Sequence, residues 1–164
     1  MRKALVWSVI PLMATGATFL ASGVATAADS ADRVTKSYET TLTGEAEVAP
    51  GDPDGRGKYF QTTSGDQLCY TLRVVRIRPA TAAHIHEAPP GVAGPVIVTL
   101  LPPDREGVAE CITAVPDSAD TTLTLSKSEL AGIKATASDY YVNVHNYQYP
   151  GGAVRGQLRV NDGD

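Results

Sequence analysis

Three histidines are the side chains of this sequence best suited to chemistry, and they fall in only two places. His84 and His86 are separated by Ile85 alone. In an extended strand, side chains two apart share a face and lie roughly 7 Å from each other, so two imidazoles can converge on one ion. His145 ends a second strand-like run, Tyr140-Tyr141-Val142-Asn143-Val144-His145, in which Tyr141 and Asn143 share its face. If the two strands are neighbours, three imidazoles meet. A three-nitrogen set of that kind suits copper or zinc, for which imidazole is a common ligand. Asn143 or Tyr141 would then stand beside the ligands and fix their ring tautomers. The competing reading is a polar structural cluster, with the pair capping a sheet edge and His145 bonded to a loop carbonyl. Glu87 follows His86 but points to the opposite face, which makes it a weak candidate ligand.

The other reactive residues are few. Cys69 and Cys111 are the two cysteines of the chain, and an even count in an exported protein reads as a disulfide, here closing a 42-residue loop. The rival reading is a pair of thiolate metal ligands. No G-x-S-x-G, H-E-x-x-H or C-x-x-C motif is present, so hydrolase and thiol-redox assignments have no starting point and no catalytic residue is assigned. Arg155, between Val154 and Gly156, pairs with a carboxylate such as Glu45 or Glu47, stacks on a tyrosine, or attracts an anion. Tyr140, Tyr141, Tyr147 and Tyr149 either form a binding surface or cover the edge of the core.

The elements that must position these residues read as short strands. Tyr38 to Thr43, Gly57 to Thr62 and Gln67 to Val74 follow period-two patterning; in the third, Leu68, Tyr70, Leu72 and Val74 share one face and Cys69 takes the other. Loops rich in Pro and Gly separate them, notably Ala49 to Gly55 and Ala88 to Gly94. Ala82 to Glu87, Pro95 to Leu100, a segment carrying Cys111, Tyr140 to His145 and Ala153 to Val160 supply further strands. One short helix is expected, with Ser126 as N-cap and Glu129 completing a capping box ahead of Leu130 and Ile133. This pattern predicts an all-β protein, an antiparallel sandwich or partly closed barrel with one short helix.

The chain of 164 residues has room for one domain of this kind. Its 14 basic and 18 acidic residues give a net charge of −4, which suits nucleic acid poorly, and no nucleic-acid partner is expected. Arg2 and Lys3, an apolar run from Ala4 to Leu20 and the ending Ala25-Thr26-Ala27 form the charged, apolar and cleavage regions of a secretory signal peptide over residues 1–27. The run is short and weakly apolar for the ~20 residues a membrane span needs, so no stable membrane anchor is expected after cleavage. Removing the two basic residues Arg2 and Lys3 moves the net charge from −4 to −6. Residues 28–37 are small and polar and read as a flexible leader, 38–160 as the β domain and 161–164 as a C-terminal tail.

Four segments, taken in order, resemble a known family. Ala82-Ala83-His84-Ile85-His86-Glu87, Gly91-Val92-Ala93-Gly94-Pro95-Val96, the run from Tyr140 to His145, and Pro150 through Leu158 together look like the CHRD domain, the module named after chordin. That resemblance implies a secreted β-rich module and leaves its biochemical role open; small size, a single domain and the lack of a catalytic motif point to binding of an extracellular protein or a cell-surface polymer, and the histidines to binding of a metal ion. A weaker, local likeness is to copper/zinc superoxide dismutases, in which an H-x-H strand and a later histidine hold copper and an arginine near the C-terminus attracts the anion. It implies an immunoglobulin-like or dismutase-like β-sandwich, copper held by His84, His86 and His145, and Arg155 in the arginine's place. The zinc ligands and bridging histidine of that family have no counterpart here, because no fourth histidine exists. Two readings result: a non-catalytic extracellular binding module with a three-histidine copper site, or a copper-dependent redox protein of the dismutase type.

Overall fold

A computed structural model describes residues 35–162. The expected signal peptide, the expected leader up to residue 34 and residues 163–164 of the tail lie outside the described residues. The protein is all-β and antiparallel, with nine strands and one α-helix among the described residues. The strands are β1 (Lys36–Thr43), β2 (Arg56–Ser64), β3 (Gln67–Val75), β4 (Ala80–Glu87), β5 (Val96–Leu100), β6 (Val108–Thr113), β7 (Tyr140–Asn146), β8 (Val154–Gln157) and β9 (Arg159–Val160). They form one continuous sheet in the order β5-β4-β7-β8-β1-β2-β3-β6, with β9 beside β1.

The sheet is curled rather than flat. Its two halves meet at the β8–β1 pairing, where Thr43 stands opposite Arg155. Leu42, Tyr59, Leu68 and Leu72 from one half and Ile85, Val98, Val142 and Val144 from the other belong to one apolar cluster, so the halves face each other as the layers of a sandwich. Period-two patterning sets which residues enter that core. In β3, Leu68, Tyr70, Leu72 and Val74 are buried, and Cys69 lies on the other face opposite Cys111 of β6, to which it is disulfide-bonded. The helix α1 (Lys127–Ala135) has the expected capping box: Ser126 Oγ accepts from Glu129 N–H, and the Glu129 carboxylate accepts from Ser126 N–H at 2.8 Å. Its Leu130 and Ile133 join the same core.

The structure departs from the expected boundaries in three places. β1 begins at Lys36, two residues inside the expected leader, because Lys36 and Ser37 continue the ladder opposite Thr63 and Thr62. The final strand is broken at Leu158, which is fully buried and donates its N–H to the Tyr140 carbonyl, so β9 pairs only with β1. On β5, Ile97 is an extra residue between the pairs Ile85–Val98 and His86–Val96; this β-bulge lets the consecutive Ile97 and Val98 both be buried.

Candidate metal centre

β7 is the strand on which the site is built, and it is covered on both faces. Tyr140, Val142 and Val144 enter the core; Tyr141, Asn143 and His145 form the outer row. β4 lies antiparallel beside it with His84 opposite Asn143 and His86 opposite Tyr141. Strand pairing therefore places the three histidines on one patch of the outer face. Their ring nitrogens that can act as ligands all lie within 4.8 Å of one another. His84 Nδ1 is 3.1 Å from His145 Nε2, and His86 Nε2 and His145 Nε2 each lie 3.1 Å from Asn143 Oδ1.

Backbone carbonyls orient two of the rings. His86 Nδ1 donates to the Gly94 carbonyl at 3.0 Å, and His145 Nδ1 donates to the Pro150 carbonyl at 2.9 Å. A carbonyl only accepts, so both Nδ1 atoms carry the proton and both Nε2 lone pairs face inward. The Gly94 carbonyl is available because the loop 88–94 folds back over β7. Gly94 allows this close passage: a Cβ there would stand 1.9 Å from the Glu87 carbonyl oxygen. The Gly94 N–H also donates to Tyr141 Oη at 3.3 Å.

Tyr141 and Arg155 brace the site from behind. The Tyr141 ring stacks on His86 with centroids 4.7 Å apart and planes 4° from parallel. The Arg155 guanidinium carbon lies 3.3 Å from the Tyr141 ring centroid. Arg155 is 2% exposed, and it donates to the Val92 carbonyl at 2.8 Å and the Pro89 carbonyl at 3.1 Å. Gln157 adds a third tether to the same loop through the Ala88 carbonyl at 2.8 Å. Of the roles expected for Arg155, stacking on a tyrosine is therefore the one its geometry matches. Its charge also lowers the pKa of Glu47, though burial has the larger effect and pushes that carboxyl up to about 7. Tyr140 and Tyr141 are buried, whereas Tyr147 is 92% exposed in the turn after His145. Glu87 is exposed and takes no part in the histidine cluster, as its strand parity requires.

Burial lowers the pKa of all three imidazoles. For His84, burial acts first and the charges of His145 and His86 add to it, bringing the value down to about 4. Three neutral imidazoles at neutral pH are in the state a metal ion requires, since protonated rings cannot ligate. Inward lone pairs with second hydrogen bonds to carbonyls are the arrangement expected around a first-row metal ion. The residues present therefore fit a first-row ion such as copper or zinc, with His84, His86 and His145 as the nitrogen donors. The bond from His145 to the Pro150 carbonyl is the loop-carbonyl contact expected under the structural reading, whereas the Gly94 carbonyl on His86 had no signal beyond the Gly and Pro content of its loop.

Fold and site together define a small antiparallel β domain carrying a histidine cluster on its outer face. The family model of the CHRD domain matches residues 38–158, and the chain belongs to that family. No curated protein and no solved structure matches it.

Proposed function

We propose that this CHRD-domain protein is exported and acts outside the cell as a non-catalytic binding module that holds a copper ion through His84, His86 and His145. The observation that carries this reading is the convergence of three ring nitrogens within 4.8 Å, two of them with tautomers fixed by backbone carbonyls. Export is supported by the signal-peptide pattern of residues 1–27 and by the Cys69–Cys111 disulfide, which suits an oxidising compartment. When bound, copper supplies a cation that satisfies the inward lone pairs; the chain's own residues supply orientation. His86 is held by Gly94 and Tyr141, His145 by Pro150, and the loop that carries Gly94 is fastened by Arg155 and Gln157. Tyr147, exposed beside the site, offers aromatic contact area to an extracellular protein or cell-surface polymer. The dismutase-type alternative draws less support, because the Arg155 donors are engaged by Val92 and Pro89 rather than offered to an anion.

Titration of the purified, processed protein with Cu(II) and with Zn(II) tests the reading. One equivalent of Cu(II) is expected to bind more tightly than about micromolar, a free energy of about 8 kcal/mol. The double variant His84→Ala, His86→Ala is expected to lose that binding while keeping its fold. Absence of stoichiometric binding, or binding unchanged in the double variant, would overturn it.

A further inference from the structure

The wiring of the histidine rings leaves a surplus of acceptors. His86 and His145 each spend their single ring proton on a backbone carbonyl, at Gly94 and Pro150, so neither Nε2 has a proton to give. Both Nε2 atoms nevertheless stand 3.1 Å from the same oxygen, Asn143 Oδ1, which can only accept. Acceptors held that close without a proton between them repel one another, and Asn143 is 3% exposed, so water does not separate them freely. A half-turn of the amide would remove the conflict by aiming the two Nδ2 protons at the rings; with Oδ1 inward, as it stands here, a cation among them removes it. Two spacings have the right size: ligands bonded at about 2.0 Å to a tetrahedral ion stand about 3.3 Å apart, and His86 Nε2 and His145 Nε2 each stand 3.1 Å from Asn143 Oδ1. The three histidine nitrogens lie within 4.8 Å of one another and would draw closer around an ion, with His84 Nδ1 giving up the proton it now donates to His145 Nε2 at 3.1 Å.

We propose that Asn143 Oδ1 is the fourth ligand of the site, which makes it a closed centre of three histidines and one asparagine. The inference rests on the metal-binding reading above and deepens it. Strand register explains how Asn143 comes to be there: it lies opposite His84 on β4, one same-face position from both Tyr141 and His145 on β7. A closed four-coordinate site keeps its ion, whereas a catalytic one leaves a position open for water or substrate. A fourth protein ligand therefore makes this a site for holding its ion.

Loss of affinity alone does not test the assignment, because removing a residue that merely supports ligands also weakens metal binding about 10–100-fold. Coordination number does. The processed protein loaded with Co(II) is expected to show the intense visible bands of a four-coordinate ion, retained in Asn143→Asp. In Asn143→Ala these bands are expected to weaken as water raises the coordination number, with Cu(II) affinity at least about tenfold lower. Unchanged Co(II) bands in Asn143→Ala would overturn the assignment while leaving the three-histidine site standing. Failure of the unmodified protein to take up either metal would instead remove the metal reading itself. Nitrogen-15 NMR of the Zn(II)-loaded protein gives a check that needs no variant. His86 and His145 are expected as Nδ1–H tautomers with metal-shifted Nε2 resonances, and the Asn143 amide without a hydrogen bond to either ring. A scalar coupling from that amide to either Nε2 in the loaded protein would show Oδ1 turned away from the ion, and would also overturn the assignment.

Discussion

Arg155 is the residue on which the rest of the site leans, because one guanidinium serves two carbonyls of the covering loop and a ring that stacks on His86. Replacing it with leucine orphans the Val92 and Pro89 carbonyls and is expected to cost about 2–4 kcal/mol in chemical denaturation. Arg155→Lys is expected to recover little, since an ammonium lacks the planar fork that reaches both oxygens. A loss below about 0.5 kcal/mol in Arg155→Leu, the size of an ordinary surface substitution, would show the loop to be held by other contacts. The histidines set the acid behaviour. A pKa lowered by folding means that the fold favours the neutral ring; the stability so gained is present above the unfolded value of 6.5 and is lost as pH falls through the folded one. For His84 that window runs from 6.5 to about 4, and His86 and His145 act in the same direction. Glu47, raised to about 7, acts oppositely and gains stability between pH 7 and 4.5. Replacing His84 with glutamine is therefore expected to flatten the acid-side decline in the unfolding temperature of the metal-free protein. An identical decline in that variant would contradict the burial of His84. At this scale the site was legible in the sequence: H-x-H spacing and the parity of Tyr141, Asn143 and His145 along β7 already put five of its side chains on two faces. A loop carbonyl on His145 was legible too, but not that it is Pro150's, and the Gly94 carbonyl on His86 was not, because any residue carries a carbonyl and only the folded loop aims it.

Among the strands longer than two residues, β6 is held least by packing, since most of its residues are exposed on an edge strand that pairs only with β3. The Cys69–Cys111 bridge joins directly opposed residues of those two strands and closes a 42-residue loop that contains β4 and β5. In the chain-entropy account such a loop contributes about 4 kcal/mol. The double variant Cys69→Ser, Cys111→Ser is expected to lose about 2–5 kcal/mol of stability in urea while β4 and β7 stay paired. A loss of His84–Asn143 contacts in its NMR spectrum would show that the bridge also positions the site. Elements with strong local signals were legible to within a residue or two, the capping box of α1 above all. The break at Leu158 and the bulge at Ile97 were not. Ala153 to Val160 reads as one strand, and only the demand of the core for Leu158 and the pairing of β9 with β1 interrupt it. Likewise Ile97 and Val98 look like any buried β-branched run until the partner register on β4 is known.

At the scale of the whole molecule, curling one sheet until its halves face each other leaves the outer face of β4, β7 and β8 free for a site, while their inner face completes the core. The loop 88–94 covers that outer face, so the histidines are partly sheltered yet remain near solvent: His86 is buried, His84 and His145 are half-buried. That exposure is compatible with the proposed loading of an ion after export. The fold class followed from strand spacing and turn residues, but the closing of the sheet at Thr43 and Arg155 depends on contacts between distant segments that no local pattern encodes. The central claim is that one copper ion sits among His84, His86 and His145. X-ray diffraction from crystals of the copper-loaded processed protein, measured on both sides of the copper absorption edge, tests it directly. One anomalous peak is expected within bonding distance of His86 Nε2, His145 Nε2 and a ring nitrogen of His84. A peak elsewhere on the molecule, or none in protein shown to be copper-saturated, would contradict it.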